Sequence, residues 1–438
     1  MSNAAVAPVI KSARVQSLDV LRGLSLLGIL MMNITAFGLL WQAYDNPMAD
    51  GGSGGMNLTV YQIISVGFEG TMRGIFSLLF GAGIVLLTER MENAGAGIMA
   101  AEIHFRRMMW MMLFGIIHWS LLLWTGEILF AYSMCGLLLF APRKLPAKVQ
   151  IGIGVALLVL AAAMTSLDYG GVVESHDKAV AAQQVQTSGQ ALSPDQSKAI
   201  EEWKKKDTHI WPSAEMATES RAIHHGSYWN AVVKQFPGSF EFQWNAAPFW
   251  LIFDAIPFML IGMGLLKYGV LGGGLPVRSY LLMAVIGYGL GIPLGVYELG
   301  IVLDGQFSTL SFAAAGRTYE ISRLAMVIGH LGLALTVIRL GLFQWLQSAL
   351  AAVGQMALSN YLAQTLICTA LFYGFGFDLY GKFERYQLYY VVGAIWAAQL
   401  AWSPLWLARF RFGPMEWLWR SLTYWQRQPM RLASPVGG

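Results

Sequence analysis

Residues 18–40 read LDVLRGLSLLGILMMNITAFGLL, an apolar run that carries Asp19 and Arg22 near its start and Asn33 further in. A run of roughly 18 or more apolar residues is a candidate membrane-spanning helix, and an ionisable side chain inside one is costly enough to mark a functional site by default. At about 100° per residue, the three polar groups fall near one face of that helix. The fold class depends on how often such runs recur.

They recur along the whole chain. Of 438 residues, 56% are hydrophobic and only 12% charged, with a mean hydropathy of +0.51, whereas a soluble domain carries about 25% charged residues. The reading is an all-α, polytopic integral membrane helix bundle. Its net charge of +4 sits in short basic segments between apolar runs, where membrane topology accounts for it, so nucleic acid is not an expected partner. Cys135 and Cys368 both lie inside apolar runs without CxxC or Cys/His spacing, so neither a disulfide framework nor a metal is expected. Lys11 and Arg14 precede the first run as in a signal peptide, but Arg22 interrupts it and no small-residue cleavage site follows before Trp41, so a retained helix is expected.

Further spans are expected at about 59–88, 105–124, 127–141 and 149–167, and then at 244–266, 279–297, 319–340, 350–372 and 386–407. With the first run this makes about ten transmembrane helices. The Gly/Asp segment DNPMADGGSGG (45–55) lacks Lys and Arg, whereas Arg90, Arg106, Arg107 and PRKLPAK follow on the other side, the positive-inside alternation of a multi-pass protein of the bacterial inner membrane with both termini cytoplasmic. Residues 168–243 turn polar and keep a helical pattern, including a Ser193-Pro194 start, and are expected as an extracytoplasmic helical segment. The divisions are an N-terminal bundle (1–167), the outer segment (168–243), a C-terminal bundle (244–408) and a cytoplasmic tail (409–438).

Several constellations carry potential chemistry. Asp19 and Arg22 suit a snorkelling arginine with a carboxylate partner, but Asn33, about 16 Å of rise further on, extends them into a polar track. Glu69 and Arg73, at i and i+4 beside Gly67, Gly70 and Gly74, read either as a self-neutralising pair or as a substrate site. His118 and Glu127 flank the turn in HWSLLLWTGE. They are either a packing histidine and a helix-start carboxylate or a general base with its orienting acid. Arg323 and His330 share a helix face, and Ser359, Asn360 and Gln364 in MALSNYLAQ offer groups for packing or for lining a cavity. His224 and His225 are adjacent, unsuited to joint metal binding from one helix face, and no HExxH, P-loop or GxSxG motif occurs.

The segments SLDVLRGLSLLGILMMNI, FEGTMRGIFSLLFGAGI, HWSLLLWTGEIL, VGQMALSNYLAQT and RFGPMEWLWRSLTY, in this order from about 14 to 428, resemble the YeiB-like bacterial membrane proteins, a family without a settled activity. More distantly, LDVLRG with an Asn eleven residues after its Arg is similar to heparan-α-glucosaminide N-acetyltransferase relatives, which pass acetyl from cytoplasmic acetyl-CoA to a sugar amine. The acyltransferase-three family likewise has an Arg in its first helix and a catalytic His where Asn33 stands here.

What this resemblance implies is a transmembrane acyltransferase. The cofactor site for acetyl-CoA or another acyl-CoA would comprise Asp19, Arg22, Arg106 and Arg107, the three arginines binding the phosphates. His118, oriented by Glu127, would deprotonate the acceptor, and Asn33 would donate to the acyl oxygen. The partners would be membrane lipids and a small-molecule or sugar acceptor, with a homodimer as a further option. The alternative is a transporter or exporter of a small metabolite or lipid-linked substrate, with Glu69, Arg73, Arg323, His330, Asn360 and Gln364 along its path. A second alternative is a receptor or assembly factor using the outer segment, whose Trp203, Trp211, Tyr228 and Trp229 supply aromatic surface.

Overall fold

The computed structural model describes residues 15–246 and 251–432. Among these, helices α1 (Gln16–Gly38), α2 (Met56–Gly67), α3 (Thr71–Asn93), α4 (Met99–Ser120), α5 (Leu129–Leu139) and α6 (Ala147–Thr187) form the first half. A cap follows, made of the far end of α6 with α7 (Pro194–Asp207), α8 (Ala214–His224) and α9 (Tyr228–Glu241). The second half comprises α10 (Ile256–Lys267), α11 (Val277–Asp304), α12 (Thr309–Arg339), α13 (Gln344–Gln355), α14 (Ala357–Phe372), α15 (Arg385–Leu407) and α16 (Pro414–Tyr424). Five stretches, Gln16–Gly38, Met56–Asn93, Ala147–Thr187, Val277–Asp304 and Thr309–Arg339, are long and apolar enough to cross a membrane. The protein is a helical membrane protein.

Helix boundaries depart from the hydropathy pattern where charge and backbone geometry intervene. The fifth apolar run, expected to end near residue 167, continues unbroken to Thr187, because Asp168 to Gln186 contains good helix formers and an i,i+4 pair, Glu174–Lys178, at 2.6 Å. At 1.5 Å per residue its 41 residues span roughly 60 Å, about twice the hydrocarbon thickness, so its far end extends past the apolar stretch and joins the cap. The expected span 59–88 breaks at Gly67–Gly70, where Gly70 takes φ +65°, open to glycine at little cost. The expected span 350–372 breaks at Met356, and Glu416 of α16 caps the second piece, accepting from Leu358 N (2.6 Å) and Ser359 N (3.1 Å). The expected span 244–266 has π-helical turns at Phe242–Ala246 and Leu251–Ala255 before α10; its residues 247–250 lie outside the described set.

The bundle closes through crossings at glycine. On α3 and α10, Gly81 lies against Met259 O and Gly262 against Leu78 O, so near that an added Cβ would stand 2.0 Å from either oxygen. Without a hydrophobic drive between helices in lipid, such close approach supplies the packing. Gly262→Ala is therefore expected to lower stability by about 1–3 kcal/mol or more, read as a fall in unfolding temperature in detergent. Gly83→Ala, two residues after Gly81 on α3 and with nothing within 4 Å, should leave it unchanged.

Candidate functional site

The break between α2 and α3 meets the π-helical turn before α10 in the half of the bundle next to the cap. Arg73, in the first turn of α3, donates from Nη2 to Asp254 Oδ2 (2.8 Å) and from Nε to Oδ1 (3.3 Å). Arg323 of α12 donates to the same carboxylate from the opposite side and also to Glu320. Asp254 itself sits in the π-helical turn before α10. The Arg323 side chain has no solvent exposure and that of Asp254 only 8%, so the ions are compensated by one another rather than by water, which is how a buried charge persists.

Glu69 and Arg73 do not form the i,i+4 pair their spacing suggests. The chain is not helical from Phe68 to Gly70, so the two side chains take separate partners, and Glu69 Oε1 accepts from the Tyr319 hydroxyl (3.1 Å). Below the break, His330 bridges Tyr288 Oη and the Gly67 carbonyl, each at 2.8 Å, satisfying a carbonyl freed where α2 ends.

A cavity of about 360 Å³ opens at this break. Its wall includes Tyr44, Asp45, Tyr61, Glu69, Glu298, Phe312, Tyr319 and Arg323. Glu298 accepts from the Thr318 and Ser322 hydroxyls at 2.7 and 2.8 Å. Two buried polar atoms on the wall have no partner among the described residues: Glu69 Oε2 and Arg323 Nε. Asp45, in the connection after α1, is exposed to this cavity yet surrounded by protein. That crowding, and next the Glu69 charge, push its carboxyl up to about 7, while Arg73 and Arg385 pull it down.

The other expected residues lie elsewhere. His118 and Glu127 are in contact, Nδ1 to Oε1 at 3.5 Å, but both side chains have no exposure. His118 Nε2 takes Thr365 Oγ1 at 2.8 Å, and Glu127 caps α5, accepting from Leu129 N and from Phe130 N (2.8 Å). The pair ties α4, α5 and α14 together. Asn33 is half-buried in mid-α1. Asn360 and Gln364 face α15 instead of the cavity, Asn360 with Ser403 (3.0 Å) and Trp402 (2.8 Å), Gln364 with Gln399 (3.0 Å).

At the opposite end of the bundle, the arginines expected to hold acyl-CoA phosphates are engaged within the protein. Arg22 pairs with Asp19 at 2.9 Å, and Arg106 with Glu102 and the Thr423 carbonyl. Arg107 lies 4.2 Å over the Trp419 ring. In the cap, His224 stacks on Tyr380 at 3.9 Å and His225 meets Asp378; both dock α8 on the α14–α15 loop. Trp211 and Tyr228 likewise donate inward, to Phe307 O (3.0 Å) and Leu121 O (2.9 Å).

The family of proteins of unknown function termed DUF418 matches residues 265–426. Over 427 residues the chain is 32% identical to the uncharacterized protein YeiB of Escherichia coli (strain K12), covering 96% of this chain and 97% of that one. The chain belongs to the YeiB-like family. A further relative, the uncharacterized protein YxaH of Bacillus subtilis (strain 168), is 29% identical across 98% of this chain and 99% of its own. No solved structure matches. The DUF418 portion of this YeiB-like chain brings Glu298, Tyr319 and Arg323 to the cavity, and the preceding portion brings Asp45 and Glu69, with Arg73 and Asp254 behind the wall at Arg323.

Asp254, Glu298 and Tyr319 were not singled out from the sequence. The signal for the first was available: Asp254 stands in LIFDAIPFML, an ionisable residue within an apolar run. Removing it leaves two buried guanidiniums facing each other. Asp254→Asn is expected to destabilise the protein by about 3–5 kcal/mol, seen as a lowered unfolding temperature, whereas Asp195→Asn on exposed α7 should change it little.

Proposed function

We propose that the chain is a multi-pass carrier for a small solute, with the cavity at the α2–α3 break as its binding site. In this reading the bundle makes about ten crossings of the bacterial cytoplasmic membrane, both termini lie inside, and the α6–α9 cap lies outside. The observation that carries it is the interrupted α2–α3 span, which lines a cavity carrying three carboxylates and is backed, through Arg73, Arg323 and Asp254, by the irregular turn before α10. Irregular backbone at membrane depth is tolerated where it lines a cavity, and interrupted helices at a mid-bundle site are the usual construction of a solute carrier. The Asp254 ion network fastens α3, α12 and the π-helical turn into one wall, and Glu69 hangs from it with one oxygen unpartnered.

Acyl transfer is supported less well. A general base must come within hydrogen-bond reach of its substrate, and the ring of His118 is enclosed with both nitrogens engaged. A receptor role would use the cap, but several of its aromatic groups hold the cap to the bundle.

Solute profiles of cells and medium, compared between strains lacking and overproducing the protein, test the carrier reading. Overproduction is expected to change the partition of at least one small solute, and Glu69→Gln and Glu298→Gln are each expected to abolish that change with the protein still in the membrane. An unchanged profile, or a change that survives both substitutions, overturns the reading.

A further inference from the structure

The charges around the cavity do not balance. The wall itself carries the carboxylates Asp45, Glu69 and Glu298 and one guanidinium, Arg323; next to it stand Asp254, Glu320, Arg73 and Arg385. Asp254 and Glu320 answer Arg73 and Arg323. Arg385 lies near Asp45 but gives a terminal nitrogen to the Ala43 carbonyl. Among the described residues this leaves two more carboxylates than guanidiniums. In a poorly hydrated cavity such an excess demands compensation, either by protons or by a bound cation.

The rest of the wall fits the second. Tyr44, Tyr61, Phe312 and Tyr319 present aromatic rings around the space, and ring faces attract organic ammonium groups. The two unpartnered atoms add a directional requirement. Glu69 Oε2 accepts but has no donor, and Arg323 Nε, on a side chain with no exposure, donates but has no acceptor. A ligand that answers both carries a positive charge, which compensates Glu69 Oε2 through its field with or without an N–H, and, next to it, an oxygen that accepts from Arg323 Nε.

Resting on the carrier reading for its biological role, we propose that the cavity binds a small organic cation bearing a hydroxyl or carbonyl oxygen, an amino alcohol in the simplest case, in competition with protons. The ammonium group lies among Glu69, Glu298 and Asp45 against the tyrosine rings, and the oxygen meets Arg323. The charged groups facing Asp45 are Glu69 from the α2–α3 break, Arg73 from α3 and Arg385 from α15. The cation is favoured when the carboxyls are ionised. With one competing carboxyl near 7, affinity rises about tenfold from pH 6 to pH 8.

The test is equilibrium binding to the purified full chain in detergent with choline as probe. Two comparators are used: tetramethylammonium, which lacks the oxygen, and the uncharged isostere in which carbon replaces the choline nitrogen. Choline is expected to bind saturably, tetramethylammonium more weakly and the isostere not at all. Affinity should rise about tenfold between pH 6 and pH 8, and Glu69→Gln and Glu298→Gln should each lower it at least tenfold. Asp45→Asn, at an exposed position, is the variant least apt to disturb folding and should flatten the pH dependence. Absence of choline binding, equal binding of the isostere, or affinity untouched by all three substitutions overturns the proposal. Choline binding without any change in cellular solute partition would overturn the carrier reading and keep the site; solute movement confined to anions or neutral compounds would do the reverse.

Discussion

The interaction on which the most depends is one carboxylate held between two guanidiniums. Asp254 lies in a π-helical turn, and Arg73 and Arg323 reach it from different helices. In water such pairs contribute little; at membrane depth neither partner can be left alone. Once this constraint is imposed, α3 must begin where Arg73 can reach inward, and the preceding stretch from Gly67 to Gly70 cannot continue as a regular helix. The break exposes backbone groups that His330 and the start of α3 then accommodate, and it leaves Glu69 hanging beside Tyr319. The cavity follows from the ion network.

Other buried polar groups show what a closed arrangement looks like. His118 and Glu127 satisfy each other, Thr365 and the first amides of α5. Glu416 caps the start of α14, and Asn360, Gln364 and Gln399 run as a hydrogen-bonded ladder between α14 and α15. In each case donors and acceptors are matched among neighbouring helices, so the group fastens the bundle and faces no cavity. The wall around Glu69 differs in being only partly matched.

The apolar runs were legible because membrane burial imposes a long, uniform signal on sequence, and the bundle class, most helix positions and the helical nature of residues 168–243 follow from it. The breaks were harder to see. Glu69 and Arg73 have the spacing of a helical pair, and only the glycines around them hint that the helix is absent there. Glu69, Arg73 and Arg323 were recognisable as misplaced charges in apolar surroundings, but their common partner, Asp254, lies far along the chain from Arg73 and Glu69, and periodicity carries no information about such pairings. His118 and Glu127 illustrate the converse. Their proximity was readable from the short turn, whereas their enclosure depends on α14, more than two hundred residues away.

The cap has a consequence of its own. The turn from Asp207 to Trp211 is fastened to the connection after α1 through Gln42–Thr208 and Asn46–Ile210 contacts, and to α12 through Thr309–Asp207 and Trp211–Phe307 contacts. These are the segments that carry Tyr44, Asp45 and Phe312, so the turn straddles both sides of the cavity mouth. A conformation-specific antibody fragment raised against this turn would act as a wedge or a clasp: it would grip the two walls through a single epitope on the cap and so trap the molecule in one shape.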